Sequence, residues 1–193
     1  MKKYTIAFII SLISLCSTAQ VTNNAISLER NGRVSLGTVT TTSSTTLQLW
    51  MNPQHWIPEA NIVTWGNSLN IQLGTLGELV IKSNDDTLSF TDVNLTTGNW
   101  AHITLLLEGN SLSLLINNTN QQNGTLSAAF TAPATEPLLL GGGFLGRIDE
   151  VRVWDIILPD DYNRFWNNTI DSFNPQWQHP GFLPSAVRPG PCR

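Results

Sequence analysis

Cysteine is almost missing from this sequence: Cys16 and Cys192 are the only two in 193 residues. Cys16 lies inside an N-terminal leader pattern, so a mature chain keeps Cys192 alone and can close no internal disulfide. One cysteine and three scattered histidines, His55, His102 and His179, assemble no zinc cluster. Lysine is nearly as scarce, with Lys2, Lys3 and Lys82 only, and all charged residues together make 12% of the chain. That scarcity denies the molecule the basic stripe that nucleic acid or an anionic membrane requires. No apolar run is long enough for a transmembrane helix, the longest being Ile6 to Leu15. A G-x-S-x-G elbow and a P-loop are both absent, which removes the two commonest sequence signatures of hydrolases and nucleotide-binding enzymes.

What is present begins with that leader. Lys2 and Lys3 precede the apolar run, and Ser17-Thr-Ala19 offers small residues for a signal peptidase, so residues 1–19 read as a signal peptide with cleavage after Ala19. The expected location is secreted, extracellular or at the cell surface. Cys16 raises lipidation as an alternative, although Leu15 stands where a lipobox has a small residue. Loss of Lys2 and Lys3 takes the formal net charge from −4 to about −6. A mildly acidic surface built from Asn, Thr, Ser and Gln suits a neutral partner read by hydrogen bonds, with little dependence on salt. Residues 20–170 are enough for one domain with a sizeable core. Residues 171–193, with Pro175, Pro180, Pro184, Pro189 and Pro191, read as a linker or disordered tail.

From Ala25 the chain breaks into short strand patterns separated by turn signals. Ala25 to Leu28 and Arg33 to Leu36 flank Asn31-Gly32, a hairpin signal. Leu47-Gln-Leu-Trp-Met51 alternates and stops at Asn52-Pro53; Asn61 to Trp65, Leu69 to Leu73, Glu78 to Lys82 and Thr87 to Phe90 follow. Ala101 to Leu107, Ser111 to Asn117 and Leu138 to Leu140 continue the series. In Ile148 to Trp154, strict alternation puts Val151 and Val153 on one face and Ile148 and Trp154 on the other; apolar residues on both imply two-sided cover or a bulge. About a dozen short strands without an intervening helix predict an all-β, antiparallel sandwich. Pro159 followed by Asp160-Asp161 predicts one short helix near the C-terminus, to about Asn167.

Two segments carry a family resemblance. Gly146-Arg-Ile-Asp-Glu-Val-Arg-Val-Trp154 resembles the closing strand of laminin-G-like, concanavalin A-like jelly rolls, and Gly98-Asn-Trp-Ala-His102 with Glu108-Gly109 resembles their G-x-W-x-H segment. Leu47 to Pro53 and Leu112 to Asn118 are similar to two further strands of that family. The resemblance spans roughly residues 25–168 and implies a jelly-roll β-sandwich. It also implies that Trp50, Trp100 and Trp154 are core, and that such a domain is one part of a larger multi-domain assembly. Leu28-Glu-Arg-Asn-Gly-Arg-Val34 lacks the aspartates that many members carry there, which weakens a calcium role for that end.

For catalysis, paired carboxylates are the feature to seek, since some jelly rolls of this kind hydrolyse glycosides with two acids about 5 Å apart. No E-x-D-x-E strand exists. Asp85-Asp86 falls in a turn, Asp160-Asp161 at a helix start, and Asp149-Glu150 within the fold motif. Asp149 is a candidate calcium ligand, but calcium takes six to eight oxygens, and a carboxylate bonded to loop backbone is the plainer reading; no other cofactor is implied. Trp56, between Pro53 and Pro58, and Trp65, before Gly66-Asn67-Ser68, are candidate sugar-stacking rings, with Asn67 beside them as a hydrogen-bonding amide. Each Trp could equally be folded over a sheet edge. The function expected is a secreted, non-catalytic binding module for glycan or a cell-surface or matrix protein. The alternatives are a structural or adhesive repeat of a larger surface protein, and a degenerate glycoside hydrolase.

Overall fold

The structure, a computed structural model, describes residues 25–118 and 120–159. The leader, the helix expected from Pro159 onward and the proline-rich tail fall outside the described residues, apart from Pro159 itself. Twelve strands form: β1 Ile26–Leu28, β2 Arg33–Thr38, β3 Ser44–His55, β4 Asn61–Trp65, β5 Leu69–Leu73, β6 Leu79–Ser83, β7 Asp86–Phe90, β8 Ala101–Glu108, β9 Ser111–Ile116, β10 Asn120–Thr125, β11 Pro137–Gly141 and β12 Leu145–Trp154. They make two six-stranded antiparallel sheets, ordered β1-β12-β3-β8-β9-β10 and β2-β11-β4-β5-β6-β7. We call these sheets A and B. The expected jelly-roll sandwich is what the chain adopts.

Alternation explains the core. In β3, Leu47, Leu49 and Met51 point inward, opposite Leu105, Ile103 and Ala101 of β8. In sheet B, Val63 and Trp65 of β4 pair with Ile71 and Leu69 of β5, and all four are buried. Such side chains meet across a gap of about 10 Å, the usual spacing of packed sheets. Between β10 and β7 a large side chain would not fit: a Cβ at Gly124 would come within 2.7 Å of Leu88 Cδ1. Gly124 thus lets the free edges of the two sheets close on each other, where the Gln122 amide also donates to the Thr91 carbonyl.

Two local expectations are corrected. The turn at Asn31-Gly32 forms, with the Gly32 amide donating to Glu29 O at 2.7 Å, but it does not join a hairpin. β1 pairs with β12 in sheet A and β2 with β11 in sheet B, so the turn carries the chain from one sheet to the other. Turn chemistry reverses a chain; it does not choose the partner edge. Second, β3 runs through Pro53 instead of stopping there. β8 pairs with β3 only as far as Met51, so beyond it no strand asks Pro53 for the amide hydrogen it lacks, and its carbonyl accepts the Gly98 amide hydrogen at 2.7 Å.

The bulge allowed for in the closing strand is present and decides which way its residues face. Asp149 lies opposite Trp50 and Arg152 opposite Gln48, so Glu150 and Val151 stand against Leu49 alone. Glu150 takes up the extra residue with φ of 50°, a conformation uncommon for anything but glycine, and Asp149 Oδ1 accepts its amide hydrogen at 2.8 Å. Ile148 therefore faces the core while Trp154 faces away from it, although strict alternation would put them together. Trp154 is still buried: its Nε1 donates to Gln48 Oε1 at 3.2 Å, on the outer face of sheet A.

Candidate functional site

The predicted site residues are not gathered in one place. β4 separates them, a five-residue strand about 16 Å long. Trp56 lies in the loop before β4, and Asn67 lies in the turn after it. Asn67 is exposed, and its carbonyl accepts the Asn84 amide hydrogen at 2.9 Å. Trp65 is not an exposed ring: it is fully buried, with its centroid 6.0 Å from that of Phe130. The neighbouring glycine misled the reading, because Trp65 is the last residue of the strand and shares the inward face with Val63. Trp56 is half-buried, packed on the core, with its Nε1 donating to Gly74 O at 3.1 Å. Its Phe variant should lose about 1 kcal/mol of stability, the net worth of one such bond, measurable as a lower urea midpoint at unchanged slope.

Trp100 corrects the core assignment in the other direction. It precedes β8 rather than sitting within it and is 39% exposed. Trp50 is half-buried on the outer face of sheet A, its ring 5.2 Å from that of His102. Asp149, the calcium candidate, spends one oxygen on the Glu150 amide, and Glu150 pairs with Arg152. Among the described residues no group of three or more acidic, His or Cys side chains is placed to hold a metal ion.

The outer faces of the two sheets differ. That of sheet A is crossed by the chain leaving β12: Thr46 Oγ1 donates to Ile156 O at 2.8 Å and accepts from the Leu158 amide at 3.0 Å. Under and beside that crossing, Gln48, His102 and Thr104 are buried, while Gln121 and Asn123 at the β10 edge are exposed.

The outer face of sheet B is polar and, among the described residues, partly open, with Gln72 buried at its centre. The pairings place Leu139, Thr64, Asn70, Lys82 and Thr87 in one row across β11, β4, β5, β6 and β7. A second row runs Asn61, Gln72, Val80 and Ser89. Lys82, Thr87 and Ser89 are exposed, while Asn61, Thr64 and Asn70 are half-buried. Gln72 Nε2 donates to Asn61 Oδ1 at 2.7 Å, which fixes both amides across the β4–β5 pair. Asn70 Oδ1 has no hydrogen-bond partner. Carboxylates at the margin are already committed: Glu78 accepts from the Thr75 amide and hydroxyl at 2.9 and 2.8 Å, and its carboxyl is held below its ordinary pKa first by that backbone bond. The result is an array of amides and hydroxyls, with the Asn61–Gln72 pair fixed by its own hydrogen bond, able to donate to and accept from a ligand rich in hydroxyl groups.

None of these face residues was singled out as functional from the sequence. The signal was there in Leu69-Asn-Ile-Gln-Leu73 and Leu79-Val-Ile-Lys-Ser83, whose alternation puts Asn70, Gln72 and Lys82 on one side. The strand register was needed to see that the two segments lie side by side.

Known proteins fit this architecture. No curated protein sequence matches the chain. Among solved structures, domain 4 of AbnA, a GH43 extracellular arabinanase from Geobacillus stearothermophilus, in complex with arabinotriose, is similar at 18% identity and a TM-score of 0.60, covering 72% of this chain and 74% of that one. A protein from Bacteroides ovatus ATCC 8483, named as a candidate carbohydrate binding protein, is similar at 17% identity and a TM-score of 0.61, over 72% of this chain but 45% of the other. The heptameric SAP-like pentraxin from Limulus polyphemus is similar at 13% identity and a TM-score of 0.53, covering 68% and 72%. At these identities the likeness is one of fold. The family model Laminin_G_3, concanavalin A-like lectin/glucanases superfamily, matches residues 23–161. The chain belongs to this Laminin_G_3 family of concanavalin A-like lectin and glucanase folds.

Proposed function

We propose that this protein is an exported, non-catalytic glycan-binding module and that the outer face of sheet B is its binding surface. The observation that carries the reading is the double row of amides and hydroxyls that the strand register brings together on that face, around Asn61, Asn70, Gln72 and Ser89. Sugars present dense donor–acceptor pairs, and a preset array of amides can meet them without ordering long, flexible side chains. Among the described residues the face carries no aromatic platform, so affinity comes from hydrogen bonds and is weak, on the order of millimolar to micromolar. Extracellular arabinanase domain 4, solved with arabinotriose, and the Bacteroides ovatus protein lend support through a shared fold. The lack of turnover rests on the carboxylates: Asp86 and Glu78 are bonded to protein donors, and among the described residues the strands of sheet B contain no second acid to pair with Asp86.

Affinity electrophoresis in gels carrying a panel of neutral and acidic polysaccharides tests this. At least one glycan should retard the wild type without release of reducing sugar. Replacing Asn70 and Gln72 together by Ala should weaken that retardation about tenfold, the worth of one or two hydrogen bonds. Retardation by no glycan would move the reading to a structural repeat, and release of reducing sugar would move it to a hydrolase.

A further inference from the structure

Charge on the outer face of sheet B departs from what the net charge of the chain implies. The protein is acidic, yet the six strands of sheet B contain three ionisable side chains, Arg33, Lys82 and Asp86. Asp86 is turned toward the connection after β10, where its Oδ2 accepts the Ser127 amide and hydroxyl at 2.8 and 2.9 Å. The two cations point outward. Lys82 lies between Asn70 and Thr87, and its neighbours Ile81 and Ser83 face inward. Arg33 pairs with Gly141, with Val34 turned to the core beside it, and its guanidinium lies against Gly142. Both are exposed. Among the described residues the one ion pair is Arg152 with Glu150, on the other sheet, so neither cation is neutralised by a neighbour. Asp85 stands in the turn beyond β6, off the rows that carry the amides.

Four strand spacings separate Arg33 from Lys82, roughly 20 Å, with the amides of Asn61, Gln72 and Asn70 between them. Screening over about 10 Å at 0.1 M salt makes such charges act locally, whatever the rest of the surface carries. We propose that the ligand of this face is a carboxylated polysaccharide, a uronate-containing glycan whose carboxylates meet Lys82 and Arg33 while its hydroxyls meet the amides between. This rests on the glycan-binding reading above and narrows it from glycans in general to acidic ones.

The probe is galacturonan in two forms that share one backbone, de-esterified and fully methyl-esterified, compared by affinity electrophoresis alongside the neutral panel. The wild type should bind the acid form about tenfold more tightly than the ester and lose that preference in 0.5 M salt. Lys82→Gln and Arg33→Gln should each weaken binding of the acid form about threefold, the scale of one exposed ion pair, and so narrow the gap between acid and ester. Both side chains are exposed, so unaltered circular dichroism and urea midpoints should accompany the loss. Equal binding of acid and ester, an acid preference that survives both substitutions, or binding confined to the neutral panel would overturn this inference while sparing the glycan reading. Binding to no glycan at all would overturn both.

Discussion

Replacing Trp65 with alanine should cost about 3–5 kcal/mol of folding stability, the range for emptying a buried large aromatic site. The ring is fully buried, at the end of β4, between Leu69 of β5 and Leu138 of β11, and it meets Phe130 from the long connection before β11. Its removal opens a cavity at one end of the sandwich and leaves Phe130 without its partner. The indole Nε1 has no hydrogen-bond partner, so the loss is one of packing rather than of a polar contact. That makes Trp65→Phe informative: it keeps an aromatic face toward Phe130, removes an unpaired donor, and should cost clearly less than Trp65→Ala. Urea denaturation of the three proteins measures this. A loss under 1 kcal/mol for Trp65→Ala would mean that the ring lies at the surface.

Acid should destabilise the fold through His102. The ring is buried behind Trp50 on the outer face of sheet A, with Thr104 Oγ1 3.5 Å from its Nδ1. Burial, and secondarily the positive charge of Arg152, lower its pKa from 6.5 to about 4. The folded state therefore keeps the imidazole neutral through a range in which the unfolded chain takes up a proton. Below pH 6.5 the unfolded state binds more protons than the folded one, so stability falls as pH falls, until the folded ring also protonates near pH 4. Across that window the loss attributable to this one group is about 3 kcal/mol. Above pH 6.5 both states are neutral and the term is flat. Carboxylates titrate in the lower part of the same range, so the measurement is a difference. Denaturation of wild type and His102→Gln at pH 7, 5.5 and 4 should give a shallower fall for the variant by roughly that amount. Parallel curves would mean that the ring titrates normally and is open to water.

Legibility in the sequence followed how local each signal was. Alternation in Leu47 to Met51 and in Leu69 to Leu73 gave strands with the right faces, because the period of two is a property of each strand alone. The Gly146 to Trp154 motif gave the family, and it even signalled its bulge by putting apolar residues at both parities. What stayed hidden depended on pairing between distant segments. The turn at Asn31-Gly32 was visible, but nothing in its four residues says that β1 joins β12 and β2 joins β11. Trp65 sits beside a glycine turn just as Trp56 sits between prolines, yet the first closes a core strand and the second is pinned by Gly74. Trp100 carried a core label from its motif, although β8 begins one residue later. The candidate face was the least legible element. Its rows are assembled across β4, β5, β6 and β7, and each strand contributes only one or two of the polar side chains.

Reading of glycan by the outer face of sheet B would leave a direct spectroscopic trace. It is tested most directly by amide and side-chain shift perturbation in the NMR spectrum of the labelled protein, titrated with the polysaccharide fragment that retards it most. The largest shifts should fall on Asn61, Asn70, Gln72, Lys82 and Ser89, with those of Trp50, Trp100 and Asn67 unmoved. Shifts centred instead on the loops around Trp56 and Trp100, or on the outer face of sheet A, would contradict it.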